Sequence, residues 1–237
     1  MKFIEEAHGK YRYIVVEMNS SLDKDFLDEI EVKGKEDSEK QIEFMPSGEV
    51  RDKQRIIDNN IAGVLAEEIV KKYLQENINK FNIDSEIIPS PFVDHETHRD
   101  IKIRVNEKIK TIEVRSSFQI SPKLTMSGIL TWAFRLLGRY TTNYKKKEDE
   151  KDFYITVIHR YRNEEIRDLI KNTIKAYIIG GGSKESFNKF GVDDNKGLKQ
   201  GEACYRVIKP IISAPKDTVS LFEDILEIKH AKQKTLQ

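Results

Sequence analysis

Cysteine is nearly absent. Cys204 stands alone, which excludes an internal disulfide framework and a cysteine-based zinc cluster. Long apolar runs are missing as well: none approaches the roughly 18–20 residues needed to span a bilayer. The opening stretch, MKFIEEAHGKYRYIVV, lacks the charged-then-apolar layout of a secretion signal. A cytoplasmic protein with no membrane partner is expected. Nor is there an excess of one charge, since 41 Lys and Arg face 40 Asp and Glu. Net charge therefore neither favours nor excludes a nucleic acid, and such a partner would need a local basic patch.

What is present fits a soluble globular chain. Charged residues make up 34% and hydrophobic residues 38%, and 237 residues can bury a core as one domain or as a domain with an appendage. Residues 1–50 read as a short strand, Tyr13–Met18, then a charged stretch ending at the turn signal Met45-Pro46-Ser47-Gly48. They are expected to form an arm for dimerisation or DNA contact, with residues 51–237 as the core. Ile57, Ile61, Leu65 and Ile69 recur every fourth residue and predict a helix over Lys53–Asn79. Pro89 and Pro91 break an extended segment, Glu86–Val93. A hairpin follows: Asp100–Val105, the turn Asn106-Glu107-Lys108, and Ile109–Arg115. An apolar helical stripe covers Leu124–Tyr140. Strands are expected at Phe153–His159, Ala176–Ile179 and, as an edge, Ala203–Ile208; Thr218–Ile228 reads as a last helix. The order predicts an α/β fold, a central mixed β-sheet flanked by helices.

The chemistry concentrates in HRDIKIRVNEKIKTIEVRSS, residues 98–117. Side chains alternate along a strand, so Glu113 and Arg115 share one face while Ile112 and Val114 share the other. Asp100 lies opposite Ile101 and Ile103. With the apolar sets facing the core, Asp100, Glu113 and Arg115 converge on the solvent side, and the hairpin brings the two carboxylates close. Such a pair repels itself unless a cation intervenes. A hard divalent ion with oxygen ligands, Mg²⁺ above all and Mn²⁺ as a substitute, resolves the conflict and can polarise a phosphodiester. Lys102 projects from the Asp100 face and adds a second positive charge.

A helix, a strand opening with Asp, a short turn and a strand carrying Glu-x-Lys resembles the core of the PD-(D/E)XK nuclease superfamily, which includes most type II restriction endonucleases. The pattern here is Arg99-Asp100, twelve intervening residues, then Glu113-Val114-Arg115, with Ser116-Ser117 following. Two positions depart from it: Arg99 replaces proline, and Arg115 stands where lysine is usual. Arginine keeps the charge and can fork onto phosphate, but its pKa is too high for a base. The resemblance implies a restriction endonuclease-like core and a Mg²⁺-dependent DNA endonuclease. Asp100 and Glu113 would be metal ligands and Glu67 a further acidic group on the first helix, with Glu68 as its alternative. Double-stranded DNA would be the substrate, and cutting both strands implies a homodimer. A nuclease-like fold that binds DNA without cutting, and a repair nuclease acting on RNA or branched DNA, remain open on these residues.

Other features read more plainly. Glu31-Val32-Lys33 matches Glu-x-Lys letter for letter but reads as a solvated strand, since no amphipathic helix precedes it. His95 and His98 fit a loop at the mouth of the cleft, with His98 a candidate for contact to phosphate or to a metal-bound water. His159 reads as structural, and Cys204 as an ordinary thiol. Gly180-Gly181-Gly182-Ser183-Lys184 lacks the Gly-Lys-Ser/Thr run of a phosphate loop, so it reads as a strand-to-helix turn and no nucleotide cofactor is expected. Arg135, Arg139, Lys145 and Lys146, with Tyr140 and Tyr144 interleaved, are candidates for backbone contacts to DNA.

Overall fold

The computed structural model describes residues 1–43, 52–89, 101–119, 121, 123–141, 149–162, 165–166, 173–194 and 204–228. Strands β1 (Lys2–His8) and β2 (Tyr11–Asn19) form a hairpin, followed by helices α1 (Lys24–Glu43) and α2 (Lys53–Phe81). A meander of β3 (Ser85–Ile88), β4 (Ile101–Val105) and β5 (Lys108–Phe118) comes next. A crossover holds α3 (Met126–Gly128), a π-helical turn (Ile129–Ala133) and β6 (Leu136–Thr141), before β7 (Phe153–His159) and β8 (Thr173–Ser183). The chain closes with α4 (Lys184–Phe190), β9 (Val192–Asp194), β10 (Cys204–Ile208), a 3₁₀ turn (Ile211–Ser213) and α5 (Thr218–Ile225).

Seven strands form the central sheet in the order β1-β2-β8-β7-β5-β4-β3, and β6-β10-β9 form a second, smaller one. Within the large sheet β5 and β7 run parallel, and the other neighbours are antiparallel. The fold is thus mixed α/β with a mixed central sheet flanked by helices, as expected. Period-2 alternation gives that sheet two buried faces. On one, Ile14, Val16, Ile103, Ile112, Ile155 and Ile178 pack against Leu27 and Ile30 of α1, Leu65 and Ile69 of α2, and Phe222 and Ile225 of α5. On the other, Val15, Tyr154, Ile158 and Ile179 meet Ile129, Leu136, Phe187 and Ile208. Among the described residues no helix is long and apolar enough to cross a membrane.

Several expectations change. Residues 1–50 contain two strands of the central sheet, and Ile14, Val16 and Met18 lie in its main core. The segment is thus integral rather than an appended arm. Glu31-Val32-Lys33 sits inside helix α1, not in a strand. That helix hides its periodicity because its contact stripe is small or polar. Gly34 faces α2 so closely that a Cβ there would lie 2.6 Å from the Ile61 Cα. Below it, Asn60 Nδ2 donates to Ser38 Oγ at 3.1 Å and to Gln41 Oε1 at 2.8 Å.

Leu124–Tyr140 is not one helix. Its apolar stripe is real, since Ile129 and Leu130 are buried, but the helical part ends at Ala133 and Leu136–Thr141 becomes a strand by pairing with β10. Tertiary pairing overrides the local period there. β10 accordingly lies between β6 and β9 and is not an edge. Gly180–Gly182 continue β8 as strand rather than forming a turn. A Cβ at Gly181 would lie 1.9 Å from the Tyr154 carbonyl oxygen, so close strand approach explains the glycine.

Candidate functional site

Strand β5 carries the residues on which the sequence reading turns. A two-residue turn joins it to β4, with Asn106 at φ 47° and Glu107 at φ 68°, the left-handed pair that matches hairpin twist. The register sets Ile101 against Ile112 and Lys102 against Thr111. Ile112 is fully buried and Val114 packs on the α2 side. Alternation then directs Glu113 and Arg115 to the opposite face, as predicted, together with Lys102, which stands diagonal to Glu113 across the hairpin.

That face is not open to solvent at Glu113, which is only 5% exposed. The second sheet covers it. The Arg115 guanidinium lies 5.5 Å from the centroid of the Tyr205 ring on β10, and Tyr205 packs on Tyr140 of β6 at 4.7 Å. Under this roof Arg115 Nη2 meets Glu113 Oε1 at 2.9 Å. A carboxylate removed from water needs such a charge beside it. Chemically, the pair offers a hard oxygen donor and a planar cation suited to a phosphate or carboxylate.

The remaining candidates are distributed differently. Asp100, His95, His98, Lys145 and Lys146 lie outside the described residues. Glu67 stands on α2, the helix that covers the Ile112 face, and its Oε2 is 4.0 Å from Lys71 Nζ. Glu68 Oε1 is nearer to the same ammonium, at 3.0 Å. Among the described residues no three His, Cys, Asp or Glu side chains gather as a metal site would require. Arg135 and Arg139 belong to the approach to β6 and to β6 itself, not to a helix end. Arg135 donates to the buried Asp194 at 2.6 Å, and Arg139 to Glu150 at 3.0 Å.

His159 is structural, as read from the sequence. It is buried on β7 with Nε2 3.0 Å from the Ala62 carbonyl and Nδ1 3.1 Å from the Tyr161 hydroxyl. The carbonyl can only accept, so Nε2 carries the proton and Nδ1 accepts from Tyr161. Burial pushes the His159 pKa down to about 4, against the smaller upward pull of the Ala62 carbonyl.

Sequence reasoning missed Tyr205 and Tyr140 as the cover over Arg115. The signal was present but weak: Leu-Leu-Gly-Arg-Tyr-Thr at 136–141 carries an interior glycine that weakens a helix and a Tyr-Thr end that suits a strand.

Comparison with known proteins places one relative beside this chain, the Methanocaldococcus jannaschii "Uncharacterized protein MJECS01". The two are 30% identical over 274 aligned positions, spanning 96% of each chain. No protein-family model matches the sequence. No solved structure matches it either.

Proposed function

We propose that this chain, which belongs to the family of the M. jannaschii protein MJECS01, is a Mg²⁺-dependent DNA endonuclease of restriction type. One observation carries the reading: Glu113 and Arg115 stand side by side on the face of β5 turned away from α2, ion-paired at 2.9 Å. The partner strand supports it, because Ile101, the Cα partner of Ile112, is bonded directly to Asp100.

The donor chemistry fits a hard cation. Glu113 is a largely buried carboxylate that already draws a guanidinium to itself, so this part of the fold favours positive charge. Asp100 and Glu113 would hold Mg²⁺, and the ion would supply Lewis acidity to the phosphodiester and an acidified water. Glu67 belongs to α2, behind the opposite face of the sheet, and is left out of this ligand set. Arg115 forks onto the scissile phosphate and offsets charge as water attacks phosphorus and the P–O ester bond breaks. Lys102, on the same face, adds a second positive charge at the rim. Double-stranded DNA is the substrate, a homodimer sets one site against each strand, and the cytoplasm is where such an enzyme meets its DNA.

The test is plasmid nicking across Mg²⁺ and Mn²⁺ concentrations. Wild-type protein is expected to cut with either ion and not in EDTA. Glu113→Ala is expected to lower the rate roughly a hundred-fold or more, at least the cost of disturbing a ligand's outer partner. Full metal-dependent cleavage by Glu113→Ala would overturn the assignment.

The same ion pair motivates a second reading, a nuclease-like fold that binds DNA without cutting, because Arg115 already neutralises the carboxylate. Duplex binding with no nicking at any metal concentration would select it. Running duplex, single-stranded and junction substrates in parallel identifies the nucleic acid.

A further inference from the structure

A second concentration of charge lies apart from the Glu113–Arg115 pair. A cavity of about 270 Å³ opens between the start of β7, the end of β8 and the second sheet. Arg139, Lys184 and Arg206 line it together with Glu150 and Asp193, and Tyr154 forms part of the wall. Three cations thus face two carboxylates. Glu150 is held from both sides, by Arg139 Nη1 on Oε1 at 3.0 Å and by Lys184 Nζ on Oε2 at 2.7 Å. Lys184, followed by Arg139, keeps the Glu150 carboxyl below the usual range. Arg206 is fixed by the Phe187 and Asn188 carbonyls and by Asp193.

Two donors converging on one pair of oxygens is how a protein holds a phosphate. Glu150 therefore occupies the place of an oxyanion, and the surplus cation leaves the cavity attractive to a doubly anchored anion. Position matters as well. Tyr154 is the β7 residue paired with Glu113, so the cavity begins one strand away from the proposed point of scission. Arg139, Lys184 and Glu150 are each partly exposed, so a ligand can reach them.

We infer that this cavity binds one phosphodiester group of a nucleic-acid backbone, with Arg139 and Lys184 as its donors and Glu150 as an internal stand-in that the phosphate displaces. The inference deepens the proposed function and rests on nucleic acid being the substrate, but it needs no cleavage. Arg206 positions the wall and is not required as a donor.

The experiment measures binding of a short duplex in EDTA at several salt concentrations. Lys184→Gln and Arg139→Gln are each expected to weaken binding several-fold. They should also flatten the plot of log affinity against log salt by about one unit, the signature of a lost phosphate contact. Glu150→Gln is expected to tighten binding several-fold. Matched changes at the Glu31–Lys35 pair on α1 should do neither. Unchanged affinity in Lys184→Gln and Arg139→Gln, both shown folded by thermal melting, would overturn the inference. So would inorganic phosphate binding that depends on these residues while duplex binding does not. Because metal is absent throughout, the two readings fail separately. Lys184-dependent binding by a protein that never cuts removes the nuclease and keeps the cavity; cleavage with no Lys184 effect removes the cavity alone.

Discussion

At residue scale the Glu113–Arg115 pair sets the first expectations. Arg115→Ala would leave a carboxylate in a largely water-excluded place, at a cost of roughly 3 kcal/mol or more in unfolding free energy. Arg115→Lys keeps the charge but loses the planar fork. In the nuclease reading it restores the more usual Glu-x-Lys, so cleavage at or above the wild-type rate is expected, while Arg115→Ala loses it. Single-turnover cleavage and urea unfolding on the same variants separate the two effects. His159 adds a pH dependence. Its folded pKa lies near 4 and its ordinary value near 6.5, so the unfolded chain binds the extra proton first. The stability tied to neutral His159 is complete above about pH 6.5 and is lost as pH falls toward 4. Unfolding free energy should decline by up to about 1.4 kcal/mol per pH unit in that window. Urea titrations at several pH values should show the decline in wild type and a shallower one in His159→Gln; identical slopes would remove the histidine from the account. Alternation along IEVR made the facing of Glu113 and Arg115 legible, because a strand admits only two directions. Their burial was not legible, because it comes from Tyr205, whose place over Arg115 depends on pairing between β6 and β10.

Elements differ in how openly they declare themselves. Helix α2 was legible because four isoleucines and leucines repeat at its period, and β7 because its run is continuously apolar. Helix α1 was not, since Leu27 and Ile30 are followed on its buried stripe by Gly34, Asp37 and Ser38. Its specificity comes from close approach, not greasiness, and this has a measurable consequence. Gly34→Val must push against the Ile61 backbone, and a loss of about 1–3 kcal/mol is expected from such overpacking, read by thermal denaturation. The β4–β5 turn predicts the opposite sign. Glu107 holds φ 68°, which costs a residue with a Cβ about 1 kcal/mol. Glu107→Gly is therefore expected to stabilise the hairpin by several tenths of a kcal/mol after its entropy cost. Asn106 should stay, because its Nδ2 donates to Glu227 Oε2 at 3.0 Å.

Across the whole molecule the first and last parts of the chain are mutually dependent. β2 lies between β1 and β8, and Arg12 Nε reaches Asp217 Oδ2 at 2.7 Å. There the Arg12 and Ser220 contacts outweigh burial and keep the Asp217 carboxyl charged below its usual range. Removing residues 1–23 would strip Ile14, Val16 and Met18 from the core, so the truncated protein is expected to be insoluble or to lack a cooperative transition by circular dichroism. A folded truncation would restore the view of this segment as an appendage.

The tie between Arg12 and Asp217 spans 205 positions, and it orders events during synthesis. The β1–β2 hairpin leaves the ribosome with one long side of β2 unmatched, and its proper neighbour β8 emerges only after most of the chain. In that interval a strand rich in valine and isoleucine is available to any other extended segment, including the same hairpin on a neighbouring nascent chain. Slow, concentration-sensitive maturation is the natural outcome, and chaperone holding of the early segment should raise the yield of native protein.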